Sequence, residues 1–298
     1  LTWDGSAEVD HPDWVASARM ASVELAPAFL RHLRRFRRDS GQAGVTLIRG
    51  LPVAADTLPP TPNVPGSVQR TATVAAATLL LIACALGEPA AFRAEKGGAL
   101  VQDVVPVPGK EQFQGNMGSV ILSFHNENAF HQHRPDFVML LCLRSDHERV
   151  AGLRVAGVRE VLPHLSAGAR AELAKPQFIT AAPPSFGAAG VDAEPHPVLG
   201  GDGDDPDLRV DLSATTARDA RATEALAELG RLFAEHGRTV RLVPGDLAIV
   251  DNRVTVHGRT AFRPRYDGQD RWLQRTFVLT DLRRSRDHRP GDGQVLAR

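Results

Sequence analysis

The stretch SVILSFHNENAFHQHRPDFVMLLCLR, residues 119 to 144, sets two apolar runs around a polar centre. Both runs read as buried strands, yet the first ends in His125, Glu127 and His131 within a few residues. Residues two apart on an extended strand point to the same face. His125 and Glu127 therefore aim an imidazole and a carboxylate at one spot. A polar pair on a solvated face has the same spacing, because H-x-E is common by chance. His131 shares the parity of Glu127 but lies about 13 Å further along an extended strand. It is read, with His133 and His147, as structural or surface.

Outward from this segment, strands dominate the middle and end of the chain. GVTLIRGLP (44–52) is a short strand stopped by Gly50 and Pro52, and GALVQDVVPVPG (98–109) a strand with a turn after it. TVRLVPGDLAIVDN (239–252) reads as two strands around a Pro-Gly turn, and DRWLQRTFVLTDL (270–282) as the last strand. Helical spacing appears over 7–39, over the uncharged run TATVAAATLLLIACALG (71–87), over 158–176, and over 222–237, where Gly237 ends an amphipathic helix. Pro183 to Asp207 is dominated by Pro, Gly, Ala and Asp and reads as a long mobile loop. The expected fold is α+β and mostly β, a sandwich or jelly roll with helices packed outside.

Composition narrows the function. The chain has 298 residues, with 35 Lys plus Arg against 35 Asp plus Glu. No whole-chain field favours nucleic acid or an anionic membrane, and the sparse aromatics disfavour base stacking. Cys84 and Cys142 lie in apolar surroundings and read as reduced core thiols. The 71–87 run is better read as a core helix than as a membrane span. No basic-then-apolar signal opens the given sequence, so the expected setting is cytoplasmic.

A third candidate ligand, His257, follows an apolar strand in IVDNRVTVHGRTAF (249–262). Two histidines and one carboxylate leave half of an octahedron open, which suits Fe(II) that must bind a chelating cosubstrate and O2. Zinc remains possible from these ligands alone. Arg271, fourteen residues on, favours iron, because a 2-oxoglutarate oxygenase needs a guanidinium fork for the cosubstrate's far carboxylate.

FHNENAFHQHRPDFVMLLCLRSDHERVAGLRVAGVREVLP (124–163) and VPGDLAIVDNRVTVHGRTAFRPRYDGQDRWLQRTFV (243–278) resemble the clavaminate synthase-like Fe(II)/2-oxoglutarate oxygenases. The resemblance covers roughly 97–165 and 195–285 and is greatest to amino-acid β-hydroxylases of the asparagine and arginine type in antibiotic pathways. It implies a double-stranded β-helix at about 97–285 in a single domain, after a helical region at about 1–90. It also implies a mobile lid at about 183–213.

By the same resemblance His125, Glu127 and His257 are the iron ligands and Arg271 is the 2-oxoglutarate clamp. Arg275 would pair with the substrate α-carboxylate, and Glu127 would also touch the α-amino group. Gln102 and Asn128 would contact substrate. Asp211 would stand over the substrate side chain, with Ser213 favouring an amide or a singly held cation. Two positions depart from the family. Leu153 stands where relatives carry a small hydroxyl residue, and Gly157 where serine is common.

The implied reaction is hydroxylation, at Cβ, of a free L-amino acid with a polar, amide or basic side chain, using Fe(II), 2-oxoglutarate and O2. Desaturation or ring formation at the same iron, and a zinc hydrolase, are the alternatives.

Overall fold

The structure, a computed structural model, describes residues 8–183, 186 and 194–297. Two antiparallel sheets carry the chain. The larger runs β1 (Val45–Ile48), β12 (Leu247–Asp251), β5 (Phe137–Arg144), β14 (Trp272–Leu279), β2 (Glu88–Phe92) and β15 (Val295–Leu296), with β3 (Gln102–Val104) also on β14. Among the described residues only the β2–β15 pair is parallel. The smaller runs β11 (Arg238–Val240), β6 (Leu153–Gly157), β13 (Thr255–Arg259) and β4 (Leu122–His125). Two short pairs lie outside them, β7 (Phe178–Thr180) with β10 (Thr215–Ala217), and β8 (Leu199–Gly201) with β9 (Pro206–Leu208).

Strand β5 explains the layering. Phe137, Met139, Leu141 and Leu143 pack against the helical cluster that holds Leu79, Leu80 and Leu86 of α3 (Val74–Leu86). Val138, Leu140 and Cys142 point the other way and pack with Leu153 and Val155 of the smaller sheet. A strand covered on both faces has no solvent side, so FVMLLCL shows no polar alternation. Helices α1 (Pro12–Ser22) and α2 (Pro27–Arg38) complete the outer layer beside α3. The far face of the smaller sheet is covered by α4 (Val158–Val161), α5 (Ala167–Leu173) and α6 (Ala220–His236), through Phe124, Val256, Leu229 and Phe233.

The helix over 71–87 is present at Val74–Leu86, capped by the Thr73 hydroxyl accepting from Ala76 N–H at 3.2 Å, and it packs against β14 and β5. Among the described residues no helix is long and apolar enough to cross a membrane.

Three expectations change. The first helical stretch is two helices, because Pro27 starts a new one after a break at 23–26. The larger sheet draws β1, β2 and β15 from outside 97–285. The third concerns the lid expected at about 183–213. Residues 184–185 and 187–193 of it lie outside those described, but from 196 onward the segment packs. Val198, Leu208 and Val210 are fully buried, and β8 and β9 form a hairpin. The Gly, Pro and Asp residues are concentrated at the hairpin tip, so composition hid a few fully buried apolar anchors.

Candidate active site

The smaller sheet places the histidines. Strands β4 and β13 are antiparallel neighbours, and His125 and His257 are direct cross-strand partners with ring centroids 4.4 Å apart. Glu127 reaches the same spot differently from the strand-parity reading. Strand β4 ends at His125, and the chain then turns through residues 127–130. Glu127 Oε2 lies 3.5 Å from His257 Nε2. One ligand atom from each of the three residues falls within 4.8 Å of the others.

Two buried asparagines hold this turn. Asn252 accepts from Glu127 N–H at 2.7 Å and donates to Glu127 O at 3.0 Å and Pro135 O at 2.8 Å. Asn126 donates to Asn252 O and Thr255 O and accepts from Val210 N–H at 2.9 Å. Sequence reasoning missed both; the available signal was an uncharged amide interrupting an apolar run. Replacing Asn252 with alanine leaves three buried backbone groups without this partner, at about 1–3 kcal/mol each. The variant should lose about 3 kcal/mol or more in a urea titration, and a loss under 1 kcal/mol would show that the turn holds itself.

The donor set fits a divalent metal. His125 Nδ1 lies 2.8 Å from Ser123 O, and a carbonyl only accepts, so Nδ1 carries the proton and Nε2 keeps its lone pair. Burial works to raise the Glu127 carboxyl, but Arg275, His257 and His125 outweigh it and hold the group well below the usual carboxylate range. Burial and the neighbouring His125 lower His257, which favours the neutral ring that can ligate. Arg275 Nη1 takes Glu127 Oε1 at 2.9 Å, which leaves Oε2, the oxygen facing His257.

Arg275 anchors a wider cluster. Its Nη2 pairs with Glu95 and donates to Gln102 Oε1, and the Asn116 amide lies 3.0–3.2 Å from the guanidinium. Gln102, expected to meet substrate, instead stands behind Arg275 and is 1% exposed. Glu95 was missed, as no spacing rule links residue 95 to 275. Its Oε2 is buried without a partner, and burial raises its carboxyl against the pull of Arg275.

A cavity of about 690 Å³ opens beside the triad, lined by Glu95, Asn116, His125, Glu127, Asn128 and Asp211, with Ser213 also on its wall. Asn128 has a left-handed backbone (φ 51°), and its amide nitrogen is buried without a partner. Asp211 bridges His125 across the backbone, and its Oδ1 accepts from Ser213 N–H at 2.8 Å and Oγ–H at 2.6 Å.

Arg271 is buried just before β14, with its guanidinium carbon 5.8 Å from the Phe262 ring centroid. Among the described residues no carboxylate pairs with it within 4.0 Å. Burial lowers its pKa accordingly. Leu153 fills the space between the sheets. Gly157 has a local reason: a Cβ there would come within 2.3 Å of the Gln42 carbonyl oxygen, so serine does not fit this backbone. His131 lies apart from the triad, edge-on to Phe92 at 4.9 Å.

Comparison with known proteins gives the same direction. L-asparagine oxygenase of Streptomyces coelicolor is 61% identical over 296 residues, 99% of this chain and 89% of that protein. Clavaminate synthase 2 of Streptomyces clavuligerus is 35% identical over 270 residues, 89% of this chain and 82% of that protein. A crystal structure of asparagine oxygenase with Fe(II), 2S,3S-3-hydroxyasparagine and succinate matches with a TM-score of 0.96, covering 99% of this chain and 92% of that one. The model of the taurine catabolism dioxygenase TauD, TfdA family matches residues 22–277, and the chain belongs to that family.

Proposed function

We propose that this protein hydroxylates free L-asparagine at Cβ, using Fe(II), 2-oxoglutarate and O2. The observation that carries the reading is the pairing of a His-Glu-His set with a buried arginine that, among the described residues, has no carboxylate within ion-pair distance. A zinc hydrolase has no use for that arginine. The two facing sheets support reading the core as a double-stranded β-helix within one domain.

His125, Glu127 and His257 would hold the iron, and Arg275 leaves Glu127 Oε2 unclaimed on the side facing His257. Iron with 2-oxoglutarate and O2 supplies the oxidising power: one oxygen atom enters the substrate C–H bond, and 2-oxoglutarate leaves as CO2 and succinate, which takes up the other oxygen.

The chain's own residues position and shield the reactants. Arg271 takes the far carboxylate of 2-oxoglutarate through a charge-assisted fork. Arg275, held by Glu95 and Glu127, would exchange Glu95 for the α-carboxylate, with Gln102 and Asn116 fixing its plane. Glu95 and Glu127 present carboxylate oxygens to the α-ammonium. Asn128 supplies its unpartnered amide at the pocket wall. Asp211 accepts from the side-chain amide through Oδ2, because Ser213 occupies Oδ1. These contacts orient Cβ towards the triad, and this placement is the protein's contribution to rate.

The test is a panel of free L-amino acids scored for gain of one oxygen. Asparagine should be turned over best, with 3-hydroxyasparagine as product. Asp211→Asn replaces an acceptor with a group that also donates, so asparagine should lose about 1–3 kcal/mol of transition-state binding, roughly a 10- to 100-fold fall in kcat/KM. An unchanged preference among Asn, Gln, Lys and Arg in that variant would remove Asp211 from the substrate side chain.

A further inference from the structure

Behind Asp211 lies a buried polar chain that no contact described so far uses. Asp211 N–H donates to Thr215 Oγ1 at 2.9 Å. Thr215 Oγ1 lies 2.8 Å from Thr180 Oγ1, which lies 2.9 Å from His196 Nε2. His196 Nδ1 lies 2.9 Å from Pro197 O. Thr180, His196 and Thr215 are 2%, 5% and 8% exposed, so the chain is buried along its length.

Chemistry fixes every proton in the chain. Pro197 O only accepts, so His196 Nδ1 donates. Burial lowers His196 to about 4, so the ring is neutral near pH 7 and Nε2 accepts. Thr180 must then give its single hydroxyl proton to His196. Thr215, in turn, must give its proton to Thr180, which leaves Thr215 Oγ1 to accept from Asp211. Each hydroxyl donates once and accepts once, in one direction, from Asp211 to His196. Such chains polarise their members and resist local rearrangement.

The chain is long-range in sequence. It joins β7, the isolated bridge between Phe178 and His196, and β10. Its end meets Asp211 on the side away from β4, where Leu212 N–H bonds Phe124 O at 3.0 Å. Asp211 is thus held between the strand of an iron ligand and the relay.

We infer that Thr215, Thr180 and His196 form a positioning relay for Asp211 and so set the selectivity of the enzyme for the substrate side-chain amide. This rests on the reading of Asp211 given above. The three residues act through Asp211; Thr180 touches the pocket wall, but its only proton is committed to His196.

The experiment compares kcat/KM for asparagine with that for lysine in wild type, Thr180→Val, Thr215→Val and Asp211→Asn. The ratio does not depend on the fraction of folded enzyme, so partial instability does not obscure it. Each valine variant should lower the ratio about tenfold, the effect of one net hydrogen bond in a closed network. The loss should appear in KM for asparagine with the 2-oxoglutarate requirement unchanged. Thr180→Ser and Thr215→Ser, which keep the hydroxyl, should restore it. A shifted ratio in Asp211→Asn with an unchanged ratio in both valine variants overturns the relay alone. An unchanged ratio in Asp211→Asn overturns the Asp211 reading and the relay with it.

Discussion

His257→Ala should abolish turnover and most Fe(II) binding. His257 on β13 and His125 at the end of the edge strand β4 are cross-strand partners, and Glu127 closes the third side. Loss of a group that merely orients a metal ligand costs about 10- to 100-fold in affinity, so losing a ligand itself should cost more. The substitution also leaves Glu127 Oε2 facing a void in a buried site. Fe(II) titration of the iron-free protein checks the binding, and succinate release checks turnover. Normal turnover in His257→Ala would remove the triad as the metal site.

Arg271→Gln should separate the cosubstrate from the metal. The Arg271 guanidinium is buried with no ion-pair partner among the described residues, and Asp146 acts on it only from beyond ion-pair distance, so it carries a desolvation cost that an incoming carboxylate offsets. Breaking such a buried pair costs ~3–5 kcal/mol, so the apparent 2-oxoglutarate requirement should rise by roughly three orders of magnitude. The iron requirement should stay within a fewfold of wild type. Thermal stability adds a second arm. Without ligand the variant should melt at or above the wild-type temperature, since it no longer buries an unpaired charge. Wild type should be stabilised by 2-oxoglutarate, and the variant should not be. An unchanged 2-oxoglutarate dependence would place the far carboxylate elsewhere.

The legible parts of the sequence were those where chemistry follows a local period. The apolar run of β5 announced a buried strand, and its two-sided burial explains why it had no alternation. The histidines were legible because each ends or follows an apolar strand. Glu127 was found for a partly wrong reason. The spacing argument assumed a strand through residue 131, whereas a turn stapled by Asn252 and Asn126 delivers the carboxylate. Glu95 and Asn116 were not legible, because their proximity to Arg275 is made by the fold across 180 and 159 residues. The contact of Gln102 with Arg275 was not legible either: register on β14 sets the two opposite each other and buries Gln102 there. Composition misled at 196–210, where a few anchors outweigh many small polar neighbours.

The most direct measurement of the central claim is the stoichiometry of succinate to oxygenated amino acid, with L-asparagine, 2-oxoglutarate, O2 and either Fe(II) or Zn(II). With Fe(II) the two products should form in equal amounts, with the new oxygen on Cβ, and with Zn(II) neither should form. Conversion supported equally by Zn(II), or succinate formed with no oxygenated amino acid from any member of the panel, would contradict the account.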